Sequence, residues 1–232
     1  MNVIAIIVAA GTGQRIGAAL AKTYLPIAGR PLILRTLDRI FASSAISSVV
    51  LVVAANDLEY CRDLLKSDTS LKGRVLELQA GGATRQQSVR CGLDKLDAKT
   101  DMVLIHDGAR PFVSAALIDR CIQAAALKGA AVVGLPVRDT IKRVSDDGYI
   151  QSTPERAGLW EIQTPQCFQR DLIVAAHQWA VTERFDATDD AMVVERMGKP
   201  VCVVKGEASN FKITVPEDLQ IAEAMVRAGL LA

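Results

Sequence analysis

The sequence predicts an α/β fold: a doubly wound, mostly parallel twisted sheet with a projecting β-arm. Three observations carry this. Short, continuous apolar runs alternate with stretches whose apolar residues recur at helical spacing, the pattern of strands covered on both faces by crossover helices. The first run passes directly into a glycine-rich turn, Gly11-Thr12-Gly13, of the kind that lets backbone amides approach an anion at the end of a strand. The segment 138–166 breaks the rhythm: it is polar, has no long amphipathic helix and carries Asp146-Asp147-Gly148 as a turn signal, so it reads as a hairpin projecting from the sheet.

In chain order, strands fall near 3–9, 48–54, 75–79, 102–106, 130–136 and 201–205. Leu32, Leu34, Leu37, Ile40 and Phe41 suit one helix, Val89, Leu93 and Leu96 a second, and Leu117, Ile118, Cys121, Ile122 and Ala125 a third, each set recurring at three- and four-residue intervals. His177 and Trp179, beside Ala175 and Ala176, read as ordinary helix residues, and Thr188-Asp189-Asp190 as an N-cap with acids in the first turn. Thr214-Val215-Pro216-Glu217-Asp218 opens a closing helix, with proline in the first turn and two acids at the positive helix end. The whole reads as one domain over 1–232, with the arm at about 138–166, and ligand sites in such sheets lie at the carboxyl ends of the strands.

The 232 residues are half hydrophobic and carry 27 Lys and Arg against 26 Asp and Glu, a formal charge of +1. That balance gives no general attraction to nucleic acid or to an anionic membrane, so an anion site must be built from a few placed cations. Cys61, Cys91, Cys121, Cys167 and Cys202 are scattered, without a Cys-x-x-Cys pair, and read as reduced, mostly buried small hydrophobes. The apolar run at the N-terminus is too short to span a bilayer and has no charged region before it, so a cytoplasmic location is expected.

The local signal for chemistry is the stretch from Ala9 and Ala10 through Gly11, Thr12, Gly13, Gln14, Arg15, Ile16 and Gly17. Its glycines can form an anion nest, and Arg15 and Lys22 can neutralise the remaining charge. The spacing is not the G-x-G-x-x-G of dinucleotide folds, and no Walker Gly-Lys-Ser/Thr follows. By itself it is also compatible with a tight turn flanked by solvated cations.

Further blocks follow in order: Lys22-Thr23-Tyr24-Leu25-Pro26, Gly81-Gly82-Ala83-Thr84-Arg85-Gln86-Gln87-Ser88, His106-Asp107-Gly108-Ala109-Arg110-Pro111, Pro136-Val137-Arg138-Asp139-Thr140, Arg156-Ala157-Gly158-Leu159-Trp160, Thr164-Pro165-Gln166, Thr188-Asp189-Asp190 and Asn210-Phe211-Lys212-Ile213-Thr214. With these the chain resembles the sugar-activating nucleotidyltransferases of Rossmann-like fold. More closely it resembles the 2-C-methyl-D-erythritol 4-phosphate cytidylyltransferase family, over nearly its whole length.

The resemblance implies transfer of CMP from CTP to methylerythritol phosphate in the non-mevalonate isoprenoid pathway, with Mg²⁺ as cofactor. It implies that Ala9, Ala10, Gly11 and Gly13 lie against CTP, that Arg15, Lys22 and Lys212 act on the phosphates, and that Gly82 and Ser88 face the cytosine and ribose. Asp107 would orient substrate and metal, and Arg110, Thr140, Arg156 and Thr164 would handle methylerythritol phosphate. Homodimers with interlocked arms are also implied. The chain departs from the family pattern at Ala21, Thr23, Gln14, Ala83 and Gly108; Ala83 stands where an acid is usual, and its side chain cannot hydrogen-bond cytosine.

The chemistry is consistent with these residue types. A phosphate monoester is already ionised at neutral pH and needs no dedicated base to attack the α-phosphorus. In-line positioning and cancellation of repulsion between two anions remain to be supplied, for which Lys22, Arg15 and Lys212 are suited, with Asp107 as an oxygen ligand for Mg²⁺. His106, on an apolar strand, reads as a packed core histidine. Two other functions are compatible with the same fold: a ribitol 5-phosphate cytidylyltransferase and a non-catalytic nucleotide-binding regulator. The arm's Ile141, Val144, Tyr149, Ile150, Leu159, Trp160 and Ile162 need a cover that a lone hairpin cannot provide, which also points to a twofold dimer.

Overall fold

Largely aliphatic runs become strands, and those in the middle of the sheet are buried on both faces. The computed structural model describes residues 1–11 and 21–229. Strand β1 (Val3–Ala9) leads to a single 3-10 turn at Lys22–Tyr24 and a small ribbon, β2 (Pro26–Ile27) with β3 (Arg30–Pro31). Then follow α1 (Leu32–Phe41), β4 (Ile46–Val53), α2 (Leu58–Ser67), β5 (Leu76–Ala80), α3 (Arg85–Leu93), β6 (Met102–Asp107), α4 (Ala115–Lys128) and β7 (Ala130–Pro136). The second half contains β8 (Arg143–Val144), β9 (Ile150–Ser152), β10 (Trp160–Gln169), α5 (Arg170–Thr182), α6 (Asp190–Arg196), β11 (Cys202–Lys205) and α7 (Pro216–Arg227).

The main sheet has seven strands in the order β11-β7-β10-β6-β1-β4-β5. β1 runs parallel to both β4 and β6, β4 to β5, and β7 to β11, while β10 lies antiparallel between β6 and β7. Alternation along β1 divides the core. Val3, Ala5 and Ile7 face the apolar stripes of α1 (Leu34, Leu37, Ile40) and α4 (Leu117, Ile118, Cys121), whereas Ile4 and Ile6 face α3 (Val89, Leu93), α5 (Ile173, Ala176) and α6 (Val193, Val194). The strand positions read from sequence hold to within two residues. All five cysteines are free thiols, with Cys61, Cys121 and Cys167 buried. No helix of the described residues is long and apolar enough to cross a membrane.

The arm needs one correction. A hairpin is present, β8 against β9, with Gly148 at φ 89° supplying the left-handed turn residue. However, the end of the 138–166 segment is not part of a projection. From Gln163 to Phe168 β10 is buried, in the sheet between β6 and β7. The strand was hidden because Gln163, Gln166 and Pro165 interrupt its apolar pattern. Gln163 donates to the Glu207 carbonyl (3.1 Å) and accepts from Asn210 (3.2 Å), and Gln166 accepts from the backbone amides of Asp190 and Ala191 (both 3.1 Å). Buried amides satisfied in this way cost little.

Candidate active site

Strands β6, β1, β4 and β5 lie side by side where the order of strands leaves β1 in two directions, and a cleft of about 500 Å³ opens over their carboxyl ends, the place where doubly wound sheets bind ligands. Its floor is the exit of β1, from Ala9 to Gly11. One wall is the loop after β5, with Gly82, Ala83 and Thr84; Asp107 at the end of β6, Lys22 and Lys212 complete the rim.

The wall is held by the first turn of α3. Thr84 caps that helix by accepting from the Gln87 amide (3.1 Å), the Ser88 hydroxyl donates to the Thr84 carbonyl (2.9 Å) and accepts from the Gly82 amide (3.2 Å), and the Gln87 side chain accepts from the Ala83 amide (2.9 Å). At Gly81 a Cβ would stand 2.6 Å from the Ala10 Cβ and 2.8 Å from the Ser88 hydroxyl. Loop and floor therefore approach as closely as backbone allows.

Lys212 comes from the far end of the chain because the segment before α7 is fastened to the end of β6. Ile213 donates its amide to the Ala109 carbonyl (2.9 Å), Arg110 reaches the Asn210 carbonyl (2.8 Å), and Asn210 donates to the Thr164 carbonyl (2.8 Å). Lys22 in turn donates to the Ile213 carbonyl (2.9 Å), so the two lysines share one edge of the cleft. Lys212 Nζ lies 2.8 Å from Asp107 Oδ2, Arg110 Nε 3.7 Å from the same oxygen, and Arg85 Nε 3.2 Å from Oδ1. Burial by itself raises the Asp107 carboxyl, but Arg85, then Lys212 and Arg110 outweigh it and hold the group well below the usual carboxylate range.

Behind Asp107 is a second tier. Its amide donates to Thr164 Oγ1 (3.0 Å), and Thr164 Oγ1 lies 3.1 Å from His106 Nδ1, while His106 Nε2 meets the Arg110 carbonyl at 3.1 Å. A carbonyl only accepts, so Nε2 carries the hydrogen and Nδ1 accepts from the threonine hydroxyl. Burial lowers the His106 pKa to about 4, which leaves the ring neutral at pH 7. It is a packed core histidine, as the sequence indicates.

The family model for 2-C-methyl-D-erythritol 4-phosphate cytidylyltransferase matches residues 3–228. The chain belongs to this family. The relative of that name from Caldanaerobacter subterraneus subsp. tengcongensis is 43% identical over 227 residues, 98% of this chain and all of the relative. That from Pelotomaculum thermopropionicum is 44% identical, covering 98% and 95% of the two chains. Among solved structures, the 4-diphosphocytidyl-2C-methyl-D-erythritol synthase of Anaerococcus prevotii superposes with a TM-score of 0.84 at 34% identity, covering 97% and 98%. The Thermus thermophilus cytidylyltransferase gives 0.79 at 36%, covering 98% and 100%.

Of the residues that the family resemblance singles out, the cleft gathers Ala9, Ala10, Gly11, Lys22, Gly82, Ser88, Asp107 and Lys212. Gly13 and Arg15 lie outside the described residues. Arg110 packs behind Asp107 and Thr164 is buried beneath it, so neither lines the cleft of this chain. Thr140 and Arg156 sit on the exposed arm, where Arg156 donates to the Arg138 carbonyl. The structure therefore does not bring these two to the cleft within one chain.

Sequence reasoning assigned no site role to Arg85, which lines the cleft and whose guanidinium joins Asp107 to Asp190 (2.8 Å), nor to the buried pair Asp190 and His177 (3.1 Å). Thr188-Asp189-Asp190 is an N-cap with an acid in the first helical turn, as the sequence indicates. Asp189 accepts from the Met192 amide (2.9 Å), but Asp190 turns inward. His177, read as an ordinary helix residue, is buried against that carboxylate.

For Mg²⁺, the donor set decides the fit. Asp107 is the single carboxylate among the described lining residues, and no cluster of three or more His, Cys, Asp or Glu side chains able to hold a metal occurs among the described residues. A carboxylate has about four lone-pair sites, and Asp107 keeps capacity beside its cations. The site thus fits an ion held mainly by phosphates and water with one protein oxygen, as Mg²⁺ prefers.

Proposed function

We propose that this protein transfers the cytidylyl group of CTP to the phosphate of 2-C-methyl-D-erythritol 4-phosphate, giving 4-diphosphocytidyl-2-C-methyl-D-erythritol and pyrophosphate. A phosphate oxygen of the sugar phosphate bonds to the α-phosphorus, the bond from that phosphorus to the bridging oxygen breaks, and pyrophosphate leaves with the electron pair. No proton need move. The observation that supports this reading most directly is the convergence of Lys22 and Lys212, from opposite ends of the chain, on one edge of a cleft floored by backbone. Positive groups placed where charge develops act most strongly in such partly dehydrated sites.

In this reading the backbone of Ala9, Ala10, Gly11 and Gly13 receives the triphosphate with Arg15 and Lys22. Gly82 and Ser88 bound the base and ribose, and carbonyls of that loop accept from the cytosine amino group in place of the side chain absent at Ala83. Lys212 moves from Asp107 to the reacting phosphates. Bound through Asp107 and the phosphates, Mg²⁺ would supply charge neutralisation at the leaving pyrophosphate.

The entire chain serves as one catalytic unit whose arm joins it to a second copy, so that Thr140 and Arg156 reach the partner's cleft. Tyr149 and Ile150, 73% and 64% exposed, support that pairing because an apolar hairpin gains by being covered. The test is pyrophosphate release from CTP and methylerythritol phosphate, with and without Mg²⁺, beside ribitol 5-phosphate. Turnover confined to methylerythritol phosphate is expected. Faster turnover of ribitol 5-phosphate would transfer the assignment to that substrate, and nucleotide binding without turnover of either would make the chain a regulator.

A further inference from the structure

From beneath the cleft to its rim, five ionisable groups from four elements and the segment before α7 are joined in one line. His177 Nε2, on α5, lies 3.1 Å from Asp190 Oδ1; Asp190 Oδ2, at the start of α6, lies 2.8 Å from Arg85 Nη1; Arg85 Nε, on α3, lies 3.2 Å from Asp107 Oδ1; and Asp107 Oδ2 lies 2.8 Å from Lys212 Nζ at the rim. An ionised carboxylate can only accept, so the His177 Nε2 bears the hydrogen that points at Asp190. The Asp190 and His177 side chains are 1% and 2% exposed and touch no part of the cleft.

A buried carboxylate this far from substrate needs a reason, because an apolar residue of similar size packs more cheaply than a buried ion pair. Ordinary capping is not the reason, since Asp189 performs it. What Asp190 does is hold one arm of a guanidinium whose other arm holds Asp107. Its own position is fixed independently, by its backbone amide on the Gln166 side chain (3.1 Å) and by His177. The electrostatic consequence is local. Around Asp107, the cations Arg85, Arg110 and Lys212 face two carboxylates, so the cluster keeps one unit of positive charge, and only Lys212 among its cations stands on the outer rim. Without Asp190, Arg85 would have Asp107 as its sole carboxylate and would swing onto it, displacing the oxygen that parks Lys212.

We propose that Asp190, oriented by His177, is a positioning residue for the transfer, fixing Arg85 and through it the Asp107 carboxylate and Lys212. The inference rests on the cytidylyl-transfer reading. Neither residue touches substrate; each acts through the geometry of the next.

The experiment measures steady-state pyrophosphate release by wild type, Asp190→Asn, His177→Leu and His177→Gln, with thermal melting for each. Asp190→Asn keeps the shape but removes the charge. Its kcat is expected to fall at least about tenfold, since small misplacements of catalytic groups cost up to about a hundredfold. Its KM for CTP should stay within about threefold of wild type, because the floor and the Gly82 wall are untouched. His177→Leu fills a similar buried volume without a donor and should lose at least about fivefold in kcat, whereas His177→Gln, whose amide can still donate to Asp190, should stay within about twofold. If Asp190→Asn does not fold, the His177 pair decides. Equal rates for Leu and Gln at position 177, or an Asp190→Asn variant that melts earlier but turns over as wild type, would overturn the proposal and leave these residues a purely structural role. A wild type that releases no pyrophosphate would instead bring down the transfer reading, and this inference with it.

Discussion

The histidine beside the buried Asp107 carboxylate makes folding stability depend on pH in a window where few other groups titrate. His106 is wholly buried with both nitrogens engaged, and its pKa falls from 6.5 to about 4. Burial is the largest cause. Arg110 and Arg85 also disfavour a second charge, while Asp107 and the Arg110 carbonyl favour it and lose. Protonation would put a hydrogen on Nδ1, against the Thr164 hydroxyl that now donates to it, and that hydroxyl would need another acceptor.

A group whose folded pKa lies below its unfolded value contributes stability that is complete above the unfolded pKa and lost as pH falls through the folded one. Here the loss starts near pH 6.5 and levels off near pH 4. With these values, on the order of 2 kcal/mol disappears between pH 7.5 and 5.0. Asp107 and Asp190, both held below the usual carboxylate range, keep their contributions until the pH approaches about 4, the unfolded value for aspartate. The assay is urea unfolding at both pH values for wild type and His106→Gln, whose amide can donate to Arg110 and accept from Thr164. The wild type should lose about 2 kcal/mol more than the variant over that interval with m unchanged. Parallel losses in the two proteins would refute a buried, neutral His106.

Three further outcomes are expected. Lys22→Ala should lower turnover about a hundredfold, as loss of one charge-stabilising group commonly does, while stability falls by only about 1 kcal/mol; near-normal turnover in the pyrophosphate assay would remove Lys22 from the phosphates. Gly81→Ala places a methyl 2.6 Å from Ala10 Cβ, so the loop must move off the floor, raising the KM for CTP and costing about 1–3 kcal/mol of stability by overpacking; an unchanged KM would show that the base does not lie against this loop. Coexpressed Lys22→Ala and Arg156→Ala subunits should form mixed dimers with about half the normal activity, because symmetry puts both lesions in one site and none in the other. Activity no higher than that of either parent dimer would place Arg156 in its own chain's site.

Legibility in the sequence followed the way each element is buried. β1 and β7 are covered along most of both faces without a polar side chain, and β6 carries its polar pair His106 and Asp107 only at the end, so their apolar runs are continuous. β10 is just as central, yet it could not be read, because Gln163 and Gln166 make its burial tolerable through partners more than twenty residues away in sequence. Periodicity counts a polar residue as exposed and has no knowledge of such a partner. α2 was missed for the opposite reason: Cys61 is its only fully buried residue, so its apolar stripe is thin.

The site divides along the same line. Glycines and cations clustered in short motifs are local features, and Lys22, Gly82, Ser88, Asp107 and Lys212 came to one cleft as the motifs indicate. Arg85 stands inside one of those motifs, but it joins Asp107 to Asp190, which lies 105 positions along the chain from Arg85 itself, and no local pattern states that. One signal was available. Two adjacent acids open α6 where a cap needs one, and a histidine stands thirteen residues earlier in a helix; a surplus acid and a histidine on facing helices are each costly to bury alone and inexpensive together. Thr140 and Arg156 invert the case. Their motifs assign them to a substrate, yet in one chain they face solvent on an arm whose Tyr149, Ile150 and Val144 are also uncovered. Exposed apolar surface and two groups that the family resemblance assigns to substrate, on the same projection, have a common remedy in a second copy, since a twofold contact that buries the first can deliver the second to the partner's cleft.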